Sequence, residues 1–194
     1  WINRRIPAAL RLADIFFDFR GVAGERRLAA ELRDYITSRL RNNRHFMRDM
    51  FLQDEHFGVA LGLFNRFILE KEDAGHRGEL NLKITGTLPL VDAVRALALL
   101  NGVADTGTLV RIAKLKELAV LDNDEADYLT GAFHHITHLL LRQQLADQRK
   151  GEAVSNYVHP DSLTDREDDQ LVDALKAIRD LRDRVRSDLS GELF

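Results

Sequence analysis

Apolar positions along this chain recur mostly at three- and four-residue intervals, the period of helices that bury one face. From Glu25 onward Leu28, Leu32, Tyr35, Ile36 and Leu40 form one stripe, with arginines over much of the other face. The pattern predicts a helix, or a kinked pair, running to about Phe57. A short apolar piece from Val59 to Leu69 follows, and then a charged loop from Glu70 to Glu79 holding Gly75 and Gly78. Leu80 to Thr87 reads as extended, with Gly86 and Pro89 marking the entry to a helix over Leu90 to Leu100. That helix is apolar on nearly every side except at Asp92 and Arg95, so it is expected to be central and buried. Asn101-Gly102 is its stop signal.

A further helix is expected from Thr108 to Leu118. Asp122-Asn-Asp-Glu125 opens the longest one, with Asp122 as cap and Glu125 as its capping-box partner, continuing through Phe133, Ile136 and Leu140 to Gly151. After a polar loop with Pro160, Thr164-Asp-Arg-Glu167 repeats the capping-box pattern. The last helix then carries Leu171, Leu175, Ile178, Leu181, Val185 and Leu189 on one face.

One segment has a different period. Over Ala13 to Val22, Ile15, Phe17 and Phe19 alternate with Phe16, Asp18 and Arg20, which predicts a strand punctuated by Gly21 and Gly24. It has no partner strand in the chain, so it is expected to pair with another domain or chain, or to be an extended arm. The fold class that results is all-α: a helical bundle of about six helices, preceded by one N-terminal β-strand or extended arm.

Composition narrows the chemistry. The chain has 194 residues, enough for one domain or one domain plus a fragment of another. It has no cysteine, which excludes disulfides, thiolate metal sites and a cysteine nucleophile, and fits a cytoplasmic location. With 28 basic and 31 acidic residues the formal charge is -3, so nucleic acid is not expected as a partner. No apolar run reaches the roughly 18 residues needed to cross a bilayer, and a membrane is not expected either. The opening, Trp1-Ile-Asn-Arg-Arg5, suggests a piece of something longer.

Four basic side chains sit among apolar neighbours: Lys83 in Leu80-Asn-Leu-Lys-Ile, Arg95 in the most apolar helix, Arg111 in Leu109-Val-Arg-Ile, and Arg142 after three leucines. Buried cations need partners. Asp92, one turn from Arg95, and Asp105, near Arg111, offer an intramolecular account. A shared basic pocket for phosphate or an acidic protein surface is the sharper alternative. His134 and His138 are spaced for one metal, but His135 stands where a zincin would have glutamate, and no third ligand is evident, so no metal site is assigned to the chain itself. Asp165, Glu167, Asp168 and Asp169 suit the first turn of a helix, and Asp122-Asn-Asp124 is better read as a cap than as a metal pair. Walker, Rossmann and nucleophile-elbow motifs are absent from the sequence.

Several phrases, taken in order, resemble one family. Ile15-Phe-Phe-Asp-Phe-Arg-Gly-Val-Ala-Gly24 is similar to a signature of signal-transduction nucleotidyltransferases related to protein-PII uridylyltransferase. Leu82-Lys83, Pro89-Leu-Val-Asp-Ala-Val-Arg95, Thr108-Leu-Val-Arg111-Ile and Leu141-Arg142-Gln-Gln resemble its later landmarks. Asn81 departs from the family's Asp-Leu-Lys triplet and leaves Lys83 in place.

The resemblance implies a helical, bacterial substrate-binding domain over residues 24–194. Residues 1–23 would be a terminal strand or linker of a missing N-terminal nucleotidyltransferase domain. It implies that Asp18 is a third metal carboxylate in the parent protein, and that Mg²⁺ and a nucleoside triphosphate are used there and not by this chain alone. It also implies that Lys83, Arg95, Arg111 and Arg142 line the substrate side, with a PII-like protein as acceptor. Cyclic-nucleotide-binding and CBS domains often stand upstream in such proteins. The rival reading is a regulatory module that relays signals from those sensors, or a homodimer formed through Trp1 to Phe19.

Overall fold

The computed structural model describes residues 16–53 and 58–191. Among them are six α-helices: α1 (Arg26–Arg41), α2 (Arg44–Gln53), α3 (Leu88–Leu100), α4 (Thr108–Glu117), α5 (Asn123–Lys150) and α6 (Asp165–Ser190). One small antiparallel ladder joins β1 (Leu80–Asn81) to β2 (Tyr157–Val158), with Leu80 opposite Val158. The chain is an all-α helical bundle, as the periodicity predicts.

Two compact units divide the chain. The first draws on residues up to 53, Asp92–Asp122 and the end of the chain from Asp183; the second draws on residues 58–91 and Asn123–Arg182. In the first unit the buried side chains include Leu40, Phe46, Met47, Leu97, Ile112, Leu115 and Val185. In the second they include Leu80, Leu82, Leu129, Ile136, Leu139, Leu171 and Leu175.

Local chemistry explains the breaks. The expected kinked pair divides at Asn42-Asn43, where the Asn43 side chain accepts from the Phe46 backbone N–H at 3.1 Å and starts α2. Every residue of α3 from Asp92 to Leu99 is buried. The helix ends in a Schellman arrangement: Val103 N–H donates to the Ala98 carbonyl at 2.8 Å and Gly102 N–H to Leu99 at 3.2 Å, with Gly102 at φ +76°. The capping box at Thr164 forms as the sequence predicts. Its backbone N–H donates to Glu167 Oε2 at 2.9 Å, and the Glu167 N–H donates back to Thr164 Oγ1 at 3.3 Å.

Three expectations are corrected. Of the strand predicted over Ala13 to Val22, residues 13–15 lie outside the described residues, and Phe16 to Phe19 form a tight turn closed by Phe19 N–H to the Phe16 carbonyl at 3.3 Å. A lone strand would leave its backbone unpaired, whereas the turn buries Phe17 against Phe46 with ring centroids 6.4 Å apart. The extended run predicted to Thr87 stops at Asn81, and Lys83–Thr87 is a π-helical turn leading into α3. Gly86 allows this turn to press on α5, since an added Cβ there would stand 3.2 Å from Ile136 Cδ1. Finally, α1 does not bury the row Leu28, Leu32 and Tyr35. It turns Thr37 and Leu40 inward, along with Arg33, whose guanidinium binds two carbonyls.

Candidate functional site

The polar centre of the first unit is built on Asp18. The turn at Phe16 to Phe19 projects its carboxylate toward α3 and α4, where two arginines share it. Arg95 donates from Nε to Asp18 Oδ2 at 3.0 Å, and its Nη2 stands 2.9 Å from the same oxygen. Arg111 donates from Nη2 to Oδ1 at 2.6 Å. Each arginine has a second anchor: Arg95 Nη1 reaches Asp92 at 3.2 Å, and Arg111 Nε donates to the Asp105 backbone carbonyl at 2.7 Å. Arg111 is 1% exposed.

A third guanidinium lies beside these two. Arg33 Nη1 donates to the carbonyls of Phe17 and Ala104, both at 3.2 Å, and its guanidinium carbon stands 4.4 Å from the Phe19 ring centre. Burial pulls Arg111 below its ordinary range, the Asp18 charge opposes that shift, and Arg95 and Arg33 add to it. Asp18 therefore stabilises two cations that burial would otherwise penalise.

The intramolecular account of Arg95 through Asp92 agrees with the structure. For Arg111 the sequence pointed to the wrong chemical group: Asp105 contributes a backbone carbonyl, and the carboxylate comes from Asp18, 93 residues away. Arg33 was not singled out, because one arginine on an arginine-rich helix carries no distinguishing signal.

The other two basic residues lie in the second unit. Arg142 on α5 pairs with Glu167 Oε1, on the carboxylate whose other oxygen caps α6. Burial does not explain Arg142, since its side chain is 40% exposed. Lys83, expected to be held among apolar neighbours, is exposed on the π-helical turn. The structure thus joins Arg95 and Arg111 through a common carboxylate, and gives Arg142 a different partner.

Of the histidines, His134 and His138 are exposed, and a ring nitrogen of His135 lies 3.0 Å from the Glu167 carbonyl. Two open clefts flank α1 in the first unit. One, of ≈ 490 Å³, is bordered by Thr37, Ser38, Arg41 and Asn42; the other, of ≈ 410 Å³, by Arg20, Arg33, Asp34 and Asp105. Neither is lined by the four predicted basic residues.

A divalent cation needs several oxygen ligands converging on one point. No group of three His, Cys, Asp or Glu side chains among the described residues is placed to supply them. Both oxygens of Asp18 already accept from guanidinium groups, an arrangement suited to organising arginines. Among the described residues, this chain does not by itself supply a donor set for Mg²⁺. No helix among the described residues is long and apolar enough to cross a membrane.

Comparison with known proteins adds one match. No curated protein and no solved structure matches the chain. A family model described as "putative nucleotidyltransferase substrate binding domain" matches residues 44–189. That stretch runs from the first residue of α2 to within a residue of the end of α6, and contains Lys83, Arg95, Arg111 and Arg142. A match over so much of the chain, in the all-α architecture just described, means that this protein belongs to the nucleotidyltransferase substrate-binding domain family.

Proposed function

We propose that this domain holds the acceptor in a nucleotidyl transfer of the protein-PII uridylyltransferase kind. A separate nucleotidyltransferase domain would carry the nucleoside triphosphate and Mg²⁺. The observation that carries this reading is the family match over residues 44–189, inside which all four basic landmarks fall. Lys83 and Arg142 are the exposed members, and in this reading they meet acidic or phosphate groups of the acceptor. Arg95 and Arg111 are positioning residues, which act by fixing Asp18 and the turn that carries it. A PII-like protein is the acceptor class that the sequence signature favours.

The test is transfer of label from UTP or ATP, with Mg²⁺, onto a PII-like protein by the full-length parent. Lys83→Ala and Arg142→Ala should raise KM for the acceptor about tenfold with kcat little changed, the pattern of lost ground-state binding. Absence of transfer from either nucleotide by a folded parent would overturn the reading.

A further inference from the structure

The open cleft of ≈ 410 Å³ beside α1 lies wholly within the first unit, and the family landmarks Lys83, Arg95, Arg111 and Arg142 do not border it. Four charged side chains do: Arg20 and Arg33 of one sign, Asp34 and Asp105 of the other. None of the four forms an ion pair with another, or with any other charged side chain among the described residues. One small cleft therefore presents both signs of charge without their neutralising each other.

Arg33 is the fixed member of this group. It is half-buried, and its guanidinium is held at three points. Nη1 donates one hydrogen to the Phe17 carbonyl and the other to the Ala104 carbonyl, and the Phe19 ring covers one face at 4.4 Å. Both hydrogens of Nη1 are thus used, while Nε and Nη2 donate to nothing among the described residues. The edge left over is the side-on pair of donors that takes a carboxylate or phosphate through two parallel hydrogen bonds. Because the side chain is already ordered by the protein, a ligand meeting that edge pays little for fixing it.

Charge behind the cleft favours an oxyanion at this end. Arg33, Arg95 and Arg111 stand close enough to repel one another, with only the carboxylates of Asp18 and Asp92 bonded to them. Arg111, whose Nε holds the Asp105 carbonyl, keeps Nη1 buried with no hydrogen-bond partner. Asp34 and Asp105 limit what that oxyanion can belong to. A phosphate dianion would gain from the guanidinium groups and lose to the two aspartates, whereas a ligand carrying an ammonium beside its carboxylate gains from both pairs. The remaining wall includes Gly21, Ala29 and Ala104, small residues that leave the space open, and the volume falls within the range of about 300–1,000 Å³ usual for small-molecule sites.

We propose that the cleft beside α1 binds a free α-amino acid, with its carboxylate on the open edge of Arg33 and on Arg20, and its ammonium on Asp34 and Asp105. The site does not depend on the acceptor reading. Because Arg33 also holds the carbonyl of Phe17, the ligand braces the turn that carries Asp18.

The experiment is equilibrium dialysis of the full-length parent against radiolabelled L-α-amino acids, taken one at a time. The proposal expects saturable binding of at least one of them. The 2-oxo acid of that ligand, which lacks the ammonium, and its decarboxylated amine should each bind at least about tenfold more weakly. Arg20→Gln, Asp34→Asn and Asp105→Asn alter exposed side chains without partners in the fold, so they should leave the melting temperature unchanged and lower affinity at least about tenfold each. No binding of any amino acid would overturn the proposal. Binding that all three variants retain would place the ligand elsewhere in the parent and overturn it equally. Inorganic phosphate or the 2-oxo acid binding as tightly as the amino acid, with loss only in Arg20→Gln, would reduce the cleft to a simple anion site. Dialysis requires no nucleotidyl transfer, so a parent inactive toward every acceptor would leave this result standing.

Discussion

Asp18 and Arg111 meet at 2.6 Å although 93 residues separate them, and the arginine is almost wholly buried while the aspartate side chain is 30% exposed. The asymmetry sets which partner matters. A partly exposed carboxylate can be rehydrated if it loses its arginine, but Arg111 cannot be rehydrated if it loses Asp18. Arg95 draws on the same carboxylate and also on Asp92, so one substitution takes the Asp18 charge from Arg111 and one of two carboxylate partners from Arg95.

Asp18→Asn is therefore expected to lower unfolding free energy by about 3 kcal/mol, the scale of breaking a buried ion pair. Urea denaturation of the variant, with the m-value checked for constancy, measures it. Combining it with Arg111→Met should cost less than the sum of the two single changes. Additive losses would mean that the pair is not coupled in the folded protein.

Gly86 makes a steric prediction. Its Cβ position lies 3.2 and 3.3 Å from two methyl carbons of Ile136. Gly86→Ala should destabilise by about 1–3 kcal/mol through overpacking. Ile136→Val removes one carbon from the crowded side chain, so the double variant should recover part of the loss in a thermal melt.

Glu167 serves two elements at once, capping α6 through Thr164 and holding Arg142. Thr164→Ala should cost about 1 kcal/mol as a lost helix cap. Arg142→Ala should cost at most about 1 kcal/mol, since its side chain is partly in water. Chemical denaturation separates the two. A large stability loss from Arg142→Ala would make it unsuitable as a probe of acceptor binding.

Acid should weaken the fold through three carboxylates. Backbone N–H groups hold Asp147, Glu167 and Glu70 below their ordinary values, the leading donors being Ser155, Thr164 and Glu72 in turn. Because the folded values are depressed, the unfolded chain binds more protons. The stabilisation is complete above the unfolded values near 3.8 for Asp and 4.5 for Glu, and is lost as pH falls through the folded ones. Asp147→Asn should be less stable than the parent at neutral pH, and the two should converge on acidification. Parallel pH profiles would assign the acid sensitivity elsewhere.

Helical boundaries were largely legible because they rest on local chemistry: Thr164 and Glu167, Asn101 and Gly102, and the spacing of Leu171 through Leu189 all lie within a few residues of what they determine. The Asp18 centre was half legible. Arginine at positions 95 and 111 announced a need for counter-charge, but a partner that arrives from a distant turn leaves no trace in spacing. The period-two pattern near Phe17 misled, because alternation records which side chains are apolar and not whether a neighbouring strand exists to pair with. The row Leu28, Leu32 and Tyr35 misled for a related reason. Arg33 makes two carbonyl bonds and covers Phe19, and those contacts orient α1 against its own hydrophobic pattern. Nothing in Val59 to Leu69 distinguishes a buried apolar run from a turn that leaves Leu63 and Phe64 exposed, since the backbone at Phe64 decides that.

The first unit is assembled from three separated stretches of chain, the last of which begins at Asp183. Arg44, near its start, bonds the carbonyl of Asp188, and Arg184 donates to the Val120 carbonyl at 2.7 Å. Val185 and Leu189 are buried in the same unit. During vectorial synthesis the early helices α1 and α2 must therefore wait, with part of their apolar surface uncovered, until the final turns of α6 leave the ribosome. Premature stop codons or proteolytic trimming before Asp183 would damage the beginning of the domain as much as its end, and such shortened chains should be found with chaperones or proteases rather than as folded protein.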